Sequence, residues 1–320
     1  MNVVEVWKMN EYPLVSIIII SYKHEKYIDD CMKSLLQLTY PNIQLFYLDD
    51  CSSDNTYDKA CIYKDKLEKQ INQVNFIRNK SNQGLISNLN GLIPRCMGKY
   101  IKFLAADDFL LPDSIDIVVD YMEHHSEYDM LYTNALRGDN NTRISTNLPE
   151  SLATLYHGEQ PNGEKLFEKL YERDFIAAPT VVVRREVYDR VGLYDARLGT
   201  EDWDFFLRVA EQGSIGYLDK PTVMYRFTDT SLSHSDAPGR RINMQKSELL
   251  IREKYKEIVP DSQRYIEKSF NAAYQDALHI DDKNYFAFLD AYAMRNQVKI
   301  SGKNRIRYVL YKLHVFKIIN

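Results

Sequence analysis

The chain has 320 residues, enough to bury one large core or two smaller ones. Its 45% hydrophobic and 27% charged content is that of an ordinary globular protein, and a formal charge of −4 argues against a nucleic-acid binder, which should carry a broad basic face. Four cysteines, none in a C-x-x-C pair and none at zinc-ligand spacing from a His, read as reduced thiols of a cytoplasmic protein.

The first fifteen residues lack the basic stretch and apolar core of a signal peptide, and no apolar run is long enough to span a bilayer. Residues 14–22, LVSIIIISY, form a continuous β-branched run, the mark of a strand buried on both faces of a parallel sheet. Residues 25–38 space their apolar side chains as a helix does. A second strand, NIQLFYLDD, ends in acids. A helix over TYDKACIYKDKLEKQ, a strand QVNFIRN and a helix GLISNLNGLIPRC follow. The fourth strand, KYIKFLAADD, again ends in acids, and PDSIDIVVDYMEHH and YDMLYTNAL add a helix and a strand.

This alternation predicts an open, mostly parallel, three-layer α/β sheet. Ligands of such sheets bind at the carboxyl ends of the strands, where LDD and AADD both fall. Residues 137–175 are polar and loop-rich, with a helix expected around GEKLFEKLYER. APTVVVRREVYDRVGLYD then gives a strand and a short helix, and SIGYLDKPTVMYRF a strand-like run. From residue 239 the pattern is all helical. The expected division is therefore 1–238, with halves 12–136 and 137–238, followed by a helical region 239–320.

Three acidic clusters carry the functional signal. In LDDCSSDNT, Asp, Ser and Asn are ordinary turn formers, and Asp54 or Ser53 could cap the next helix. The same carboxylates could instead take a uracil imide or ribose hydroxyls. In AADD, Asp107 and Asp108 are adjacent like charges after an apolar strand, a hard-oxygen pair that suits Mg²⁺ or Mn²⁺. In TEDWDFF, Thr200 reads as an N-cap with acids in the first turn, which opposes the helix dipole and lowers a carboxylate's pKa. Capping and a catalytic base are both compatible with that stretch.

Taken in order, VSIIIISYKHEKYIDDCMKSLLQLTYPNIQLFYLDDCSSDNT, NKSNQGLISNLNGL, GKYIKFLAADDFLLPDSI and GTEDWDFFLRVAEQG resemble the family 2 glycosyltransferases, over roughly residues 12–230. The resemblance implies the GT-A fold and a metal-dependent, inverting transfer from a nucleoside-diphosphate sugar, a UDP-sugar, to a glycan or lipid-linked acceptor. It assigns Ser21, Tyr22, Asp49 and Asp50 to the base and ribose, and Asn82, Gly84 and Asn90 to the neighbourhood of the nucleotide. Asp107 would face the ribose or metal-bound water, and Asp108 the Mn²⁺ or Mg²⁺ ion and the diphosphate. Asp202 would be the base and Glu201 would shape the acceptor pocket. Arg226, and more weakly His234, would lie against the diphosphate. Two departures stand out: Ala105 replaces the leading acid of D-x-D-D, and ISYK replaces PTYN, which leaves the contacts of Lys23 open.

Residues 301–320 carry five Lys or Arg and no acid on an amphipathic pattern, which suits either an anionic membrane surface or docking on the preceding helices. Family members that extend lipid-linked glycans work at the cytoplasmic face of the membrane, which favours the surface. Against the enzyme stands an inactive transferase-like binding module, supported by Ala105. A nucleotidyltransferase would want a glycine-rich loop after the first strand, and SYKHEKY has no glycine.

Overall fold

The computed structural model describes residues 12–144, 153–158, 160–163, 166–227, 237–280, 282–300 and 302. It divides into two compact units, Met1–Asp195 with Phe205–His234, and Ala196–Asp204 with Ser235–Asn320.

In the first unit the elements run β1 (Val15–Ser21), α1 (Ile28–Gln37), β2 (Ile43–Asp49), α2 (Thr56–Cys61), α3 (Lys64–Gln70), β3 (Gln73–Arg78), α4 (Leu85–Leu92), β4 (Tyr100–Ala105), β5 (Phe109–Leu110) and α5 (Ser114–His124). They continue with β6 (Met130–Gly138), α6 (Leu166–Glu172), β7 (Val181–Arg184), α7 (Arg185–Val191), α8 (Glu201–Gln212) and β8 (Ile215–Arg226). The first turn of α8 is grouped with the second unit.

The described strands form one sheet in the order β3-β2-β1-β4-β7-β6-β8-β5. The first four are mutually parallel, and β7 and β5 run antiparallel to their neighbours. Every residue of β1 is buried, as its unbroken β-branched sequence requires of a strand covered on both faces. Cys31, Met32 and Leu35 of α1 pack with Ile17, Ile19, Tyr47 and Leu104 in the main core, and burying each such side chain stabilises the fold by about 1.5–3 kcal/mol.

Register sets the working edge. Ser21 lies opposite Asp49, and Ile20 opposite Ala105. The main chain keeps pairing one step further, Asp50 N–H donating to Ser21 O at 2.9 Å and Ala106 N–H to Ile20 O at 3.0 Å. The two acidic turns thus leave strands on either side of β1 at the same level.

Two local features differ from the sequence reading, and a third lies in the pairing. The single helix expected over 56–70 is broken at Ile62 and Tyr63, where Tyr63 N–H turns back to Ala60 O at 3.0 Å and its hydroxyl bonds Asp29 at 2.9 Å. Phe109 and Leu110, expected in a loop, add the short strand β5 against Val223 and Met224. The register of β6 against β8 shifts around Asn134 opposite Pro221, a residue that cannot donate to a ladder.

The second unit contains α9 (Pro238–Lys254), α10 (Ser262–Ile280) and α11 (Lys283–Arg295) around Leu249, Ile266, Phe270, Tyr274, Leu289 and Tyr292. Asp282 caps α11 by accepting the N–H of Tyr285 at 2.8 Å. The segment Ala196–Asp204, placed by sequence with the preceding half, belongs to this unit. Ser247 Oγ accepts Gly199 N–H at 2.6 Å, and Asp204 pairs with Lys254 at 2.6 Å and Tyr255 at 3.2 Å. Among the described residues no helix is long and apolar enough to cross a membrane. The basic amphipathic helix expected over 301–320 lies outside the described residues, Gly302 apart.

Candidate active site

At the end of β1, Ser21 is buried and shared between Tyr47 at 2.9 Å and Asp49 at 3.1 Å. Asp49 is wholly buried; Ser52 donates to it through its main-chain N–H at 2.9 Å and its hydroxyl at 2.5 Å, and Arg78 lies 3.7 Å away. Asp49 therefore organises the turn that follows β2. Ser52 also accepts the N–H of Lys23 at 2.9 Å, tying the turn after β1 to the turn after β2. Both turns hold a side-chain-bearing residue at positive φ, Lys23 at 59° and Cys51 at 63°. Strain of that kind costs on the order of 1–3 kcal/mol per residue and gathers at functional sites. Asp54 accepts Thr56 N–H at 3.1 Å and its hydroxyl at 2.5 Å ahead of α2, whose N-cap position is Asn55 and carries no side-chain cap bond.

Asp50 receives three donors at 2.8 Å: the Asn79 amide and the main-chain N–H groups of Gln83 and Gly84. Burial pushes its carboxyl up, but the donors, Gln83 foremost, outweigh it and hold the pKa below the ordinary range. Gly84 caps the start of α4 at φ +82°, a conformation that suits glycine, and this aims its N–H at Asp50. Of the Asn residues expected here, Asn82 is exposed. Asn90 instead clamps the backbone of Tyr194, donating to its carbonyl at 2.8 Å and accepting its N–H at 3.0 Å. The ring of Tyr22 is 40% exposed at this edge, with the Lys23 ammonium 5.1 Å from its centroid.

Asp107 and Asp108 occupy the turn after β4. Asp107 is half-buried, and its carboxylate makes no hydrogen bond or ion pair among the described residues. Asp108 is buried and accepts the main-chain N–H of Arg226 at 2.8 Å. Burial, then the neighbouring Asp107, raises its pKa well above the ordinary range against the pull of Arg226 and Lys102. Lys102, buried in mid-strand, donates to the carbonyls of Pro179 and, at 3.2 Å, of Val181; burial lowers its pKa to about 7.

Arg226 departs from the expectation that it faces the diphosphate. Its side chain is wholly buried, with the guanidinium 5.1 Å from the Tyr27 ring and 5.0 Å from the Phe109 ring. It pairs with Asp30 at 2.5 Å and donates to the carbonyls of Thr142 and Asp107. Such a group acts as a brace that fixes the acidic turn from behind.

Does this turn fit a divalent cation? Among the described residues no three His, Cys, Asp or Glu side chains gather as a ready-made cage. Mg²⁺ and Mn²⁺ need none: one or two carboxylates suffice, with water and phosphate supplying the rest. Asp108, whose ionisation burial and its neighbour oppose, and Asp107, whose carboxylate has no partner among the described residues, fit that donor set.

The acidic cluster of α8 is described within its own unit. Thr200 makes no cap; its hydroxyl is buried without a hydrogen-bond partner among the described residues. The Trp203 N–H that such a cap would take is instead accepted by Asp202 Oδ1 at 2.9 Å. The lowered pKa expected of a helix mouth is not found, because burial outweighs these main-chain donors and raises the Asp202 carboxyl. Glu201 starts the helix, its side chain lying outside the described set, as does His234.

The structure thus joins Ser21, Asp49, Asp50 and Gly84 in one network and Asp107, Asp108 and Arg226 in a second. Sequence reasoning missed Asn79, Gln83, Asp30 and Thr142. Asp30 alone left a trace, as an acid in IDDCMKSLL one residue from the buried Cys31.

A family model described as "Glycosyl transferase family 2" matches residues 16–192. The teichuronic acid biosynthesis glycosyltransferase TuaG of Bacillus subtilis, named as putative, is 26% identical over 230 residues, covering 71% of this chain and 82% of the relative. The B. subtilis glycosyltransferase EpsE, also so named, is 28% identical over 216 residues, 65% of this chain and 71% of that one. Among solved structures, Staphylococcus aureus TarS 1-349 in complex with UDP-GlcNAc superposes with a TM-score of 0.58 at 16% identity, covering 94% of this chain and 92% of that chain. The mannosyltransferase PcManGT of Pyrobaculum calidifontis, in complex with GDP-Man and Mn²⁺, gives 0.54 at 12% identity, covering 97% and 86%. These structures share the GT-A fold with the first unit's sheet.

Proposed function

The chain belongs to glycosyl transferase family 2, and from that membership we propose that it transfers a hexosyl or N-acetylhexosaminyl group from a UDP-sugar to a hydroxyl of a glycan or lipid-linked acceptor, with inversion. One observation carries the reading: Asp50 and the Asp107–Asp108 turn leave strands flanking β1 at the same carboxyl edge. That is where an open α/β sheet binds its ligand. The TarS complexes with UDP-GlcNAc and UDP support the choice of donor, and the name of TuaG supports a glycan acceptor.

The roles follow from the chemistry of each group. Asp50, held ionised by its donors, retains acceptor capacity for the imide N–H of a uracil. Tyr22 offers an exposed face for stacking, and Ser21 and Asp49 hold the turn beneath it. Asp107 and Asp108 would hold Mn²⁺ or Mg²⁺, which when bound offsets charge on the departing nucleoside diphosphate. Asp202 takes the proton of the attacking hydroxyl. A carboxylate whose pKa is raised is a stronger base, which suits that task. Arg226 keeps the acidic turn in place, and residues 301–320 bring the enzyme to the cytoplasmic face of an anionic membrane.

A thermal-shift series with UDP, UDP-GlcNAc and GDP, each with Mn²⁺ and with EDTA, tests the reading. A ligand that binds the native state raises the melting temperature. Stabilisation by a UDP compound that EDTA abolishes supports the proposal, and no response to any nucleotide overturns it.

A further inference from the structure

The turn after β1 and the segment after β6 border an open pocket of about 430 Å³ lined by Lys23, Lys26, Tyr27, Asn140, Asn141 and Arg143. That volume lies within the usual range for small-molecule sites. Two acids, Glu25 and Asp54, also line it, but both are already engaged. Glu25 takes the Asn55 amide at 3.0 Å and lies 3.5 Å from Lys59, and Asp54 takes Thr56. Lys23 and Lys26 have no carboxylate partner among the described residues. Arg143 turns one nitrogen to the carbonyls of Asn140 and Thr142 and keeps its Nε 3.9 Å from Asp30, a carboxylate already held by Arg226 at 2.5 Å. Its remaining terminal nitrogen makes no hydrogen bond among the described residues. The wall therefore carries three cations with donors to spare, Lys23, Lys26 and Arg143, against two carboxylates whose oxygens are occupied by Asn55, Lys59 and Thr56, and such free cationic donors are what a phosphate recruits.

We propose that this cavity binds a phosphate group, and, resting on the transferase reading above, that the phosphate belongs to the acceptor. The cavity adjoins the acidic turn through Thr142, whose carbonyl takes the guanidinium that also holds Asp107. In the proposed reaction Asp107 and Asp108 would hold the cation that neutralises the donor diphosphate, so a second phosphate subsite beside them orients the molecule that supplies the hydroxyl.

The test uses the full chain and a variant, Lys23→Asn/Lys26→Gln/Arg143→Gln. Asn tolerates the left-handed backbone of position 23, and circular dichroism checks that the variant is folded. Calorimetry with sn-glycerol 1-phosphate should show binding to the wild type that the variant loses by about tenfold or more, while UDP with Mn²⁺ binds both alike and does not displace it. Absence of glycerol phosphate binding, equal binding by the variant, or equal binding of glucuronate overturns the phosphate subsite. If the variant loses UDP instead, or UDP competes with glycerol phosphate, the cavity serves the donor and the acceptor assignment falls. Failure of UDP to bind the wild type counts against the transferase reading alone, because the phosphate measurement does not depend on it.

Discussion

Arg226 and Asp30, 196 positions apart in the chain, meet at 2.5 Å with the guanidinium wholly buried. Removing one member of a buried pair strands the other charge, at a cost of about 3–5 kcal/mol. Asp30→Ala should lose that much stability in urea unfolding. It should also weaken Mn²⁺-dependent UDP binding, because the brace on the acidic turn loosens. Unchanged stability would show that the pair is not formed in solution.

Asp50 is a carboxylate whose folded pKa lies below its unfolded one. Its contribution is present above the unfolded value near 4 and is lost as pH falls through the folded value. Asp50→Asn should therefore be less stable than wild type at neutral pH, by about 1.5–3 kcal/mol for hydrogen bonds to a charged group, with the gap closing toward pH 2. Denaturant midpoints measured across that range check the trend, and a gap that widens in acid contradicts it.

Burial, and then Asp107, both oppose ionisation of Asp108. Asp108→Asn should raise the melting temperature of the metal-free protein while abolishing the further rise produced by Mn²⁺ and UDP. Differential scanning calorimetry of both proteins, with and without the ion, reads the two effects separately.

Asp202→Asn should bind UDP–Mn²⁺ normally and lose about 10²–10⁴ in turnover, the range for a missing general base. Because burial raises the carboxyl, the acid limb of the wild-type pH–rate profile should lie above the ordinary carboxylate range, with activity falling as pH drops through it. Near-normal turnover by the variant would reassign the base.

Lys102 has a folded pKa of about 7 against an unfolded value near 10.4. Between those values the unfolded chain binds the extra proton, so stability rises with pH, at a slope of at most about 1.4 kcal/mol per unit. Lys102→Met should flatten that slope between pH 7 and 10 in denaturant titrations. A wild type whose stability is level across the interval would place the ammonium in water.

The sheet was legible because its strands carry unbroken apolar runs, and the acidic turns because like charges after such strands have few structural excuses. The bracing was not legible. Asp30 and Arg226 look like surface charges in sequence, and only their burial at opposite ends of a long chain separation reveals the pair. Asn79 and Gln83 bind Asp50 through one amide and one main-chain N–H, contacts that leave no compositional trace. Thr200 misled for a related reason: the pattern of an N-cap was present, but the amide it should have taken was already bonded to Asp202.

The turn bearing Asp107 and Asp108 leans on a residue 118 positions downstream of Asp108. During synthesis the parallel strands that precede it can pair early, whereas the acidic turn stays unset until residue 226 has cleared the ribosome. A chain that stops short of β8 would thus own the strands β1 to β4, β6 and β7 without a working edge, and competence would arrive late, with the last strand.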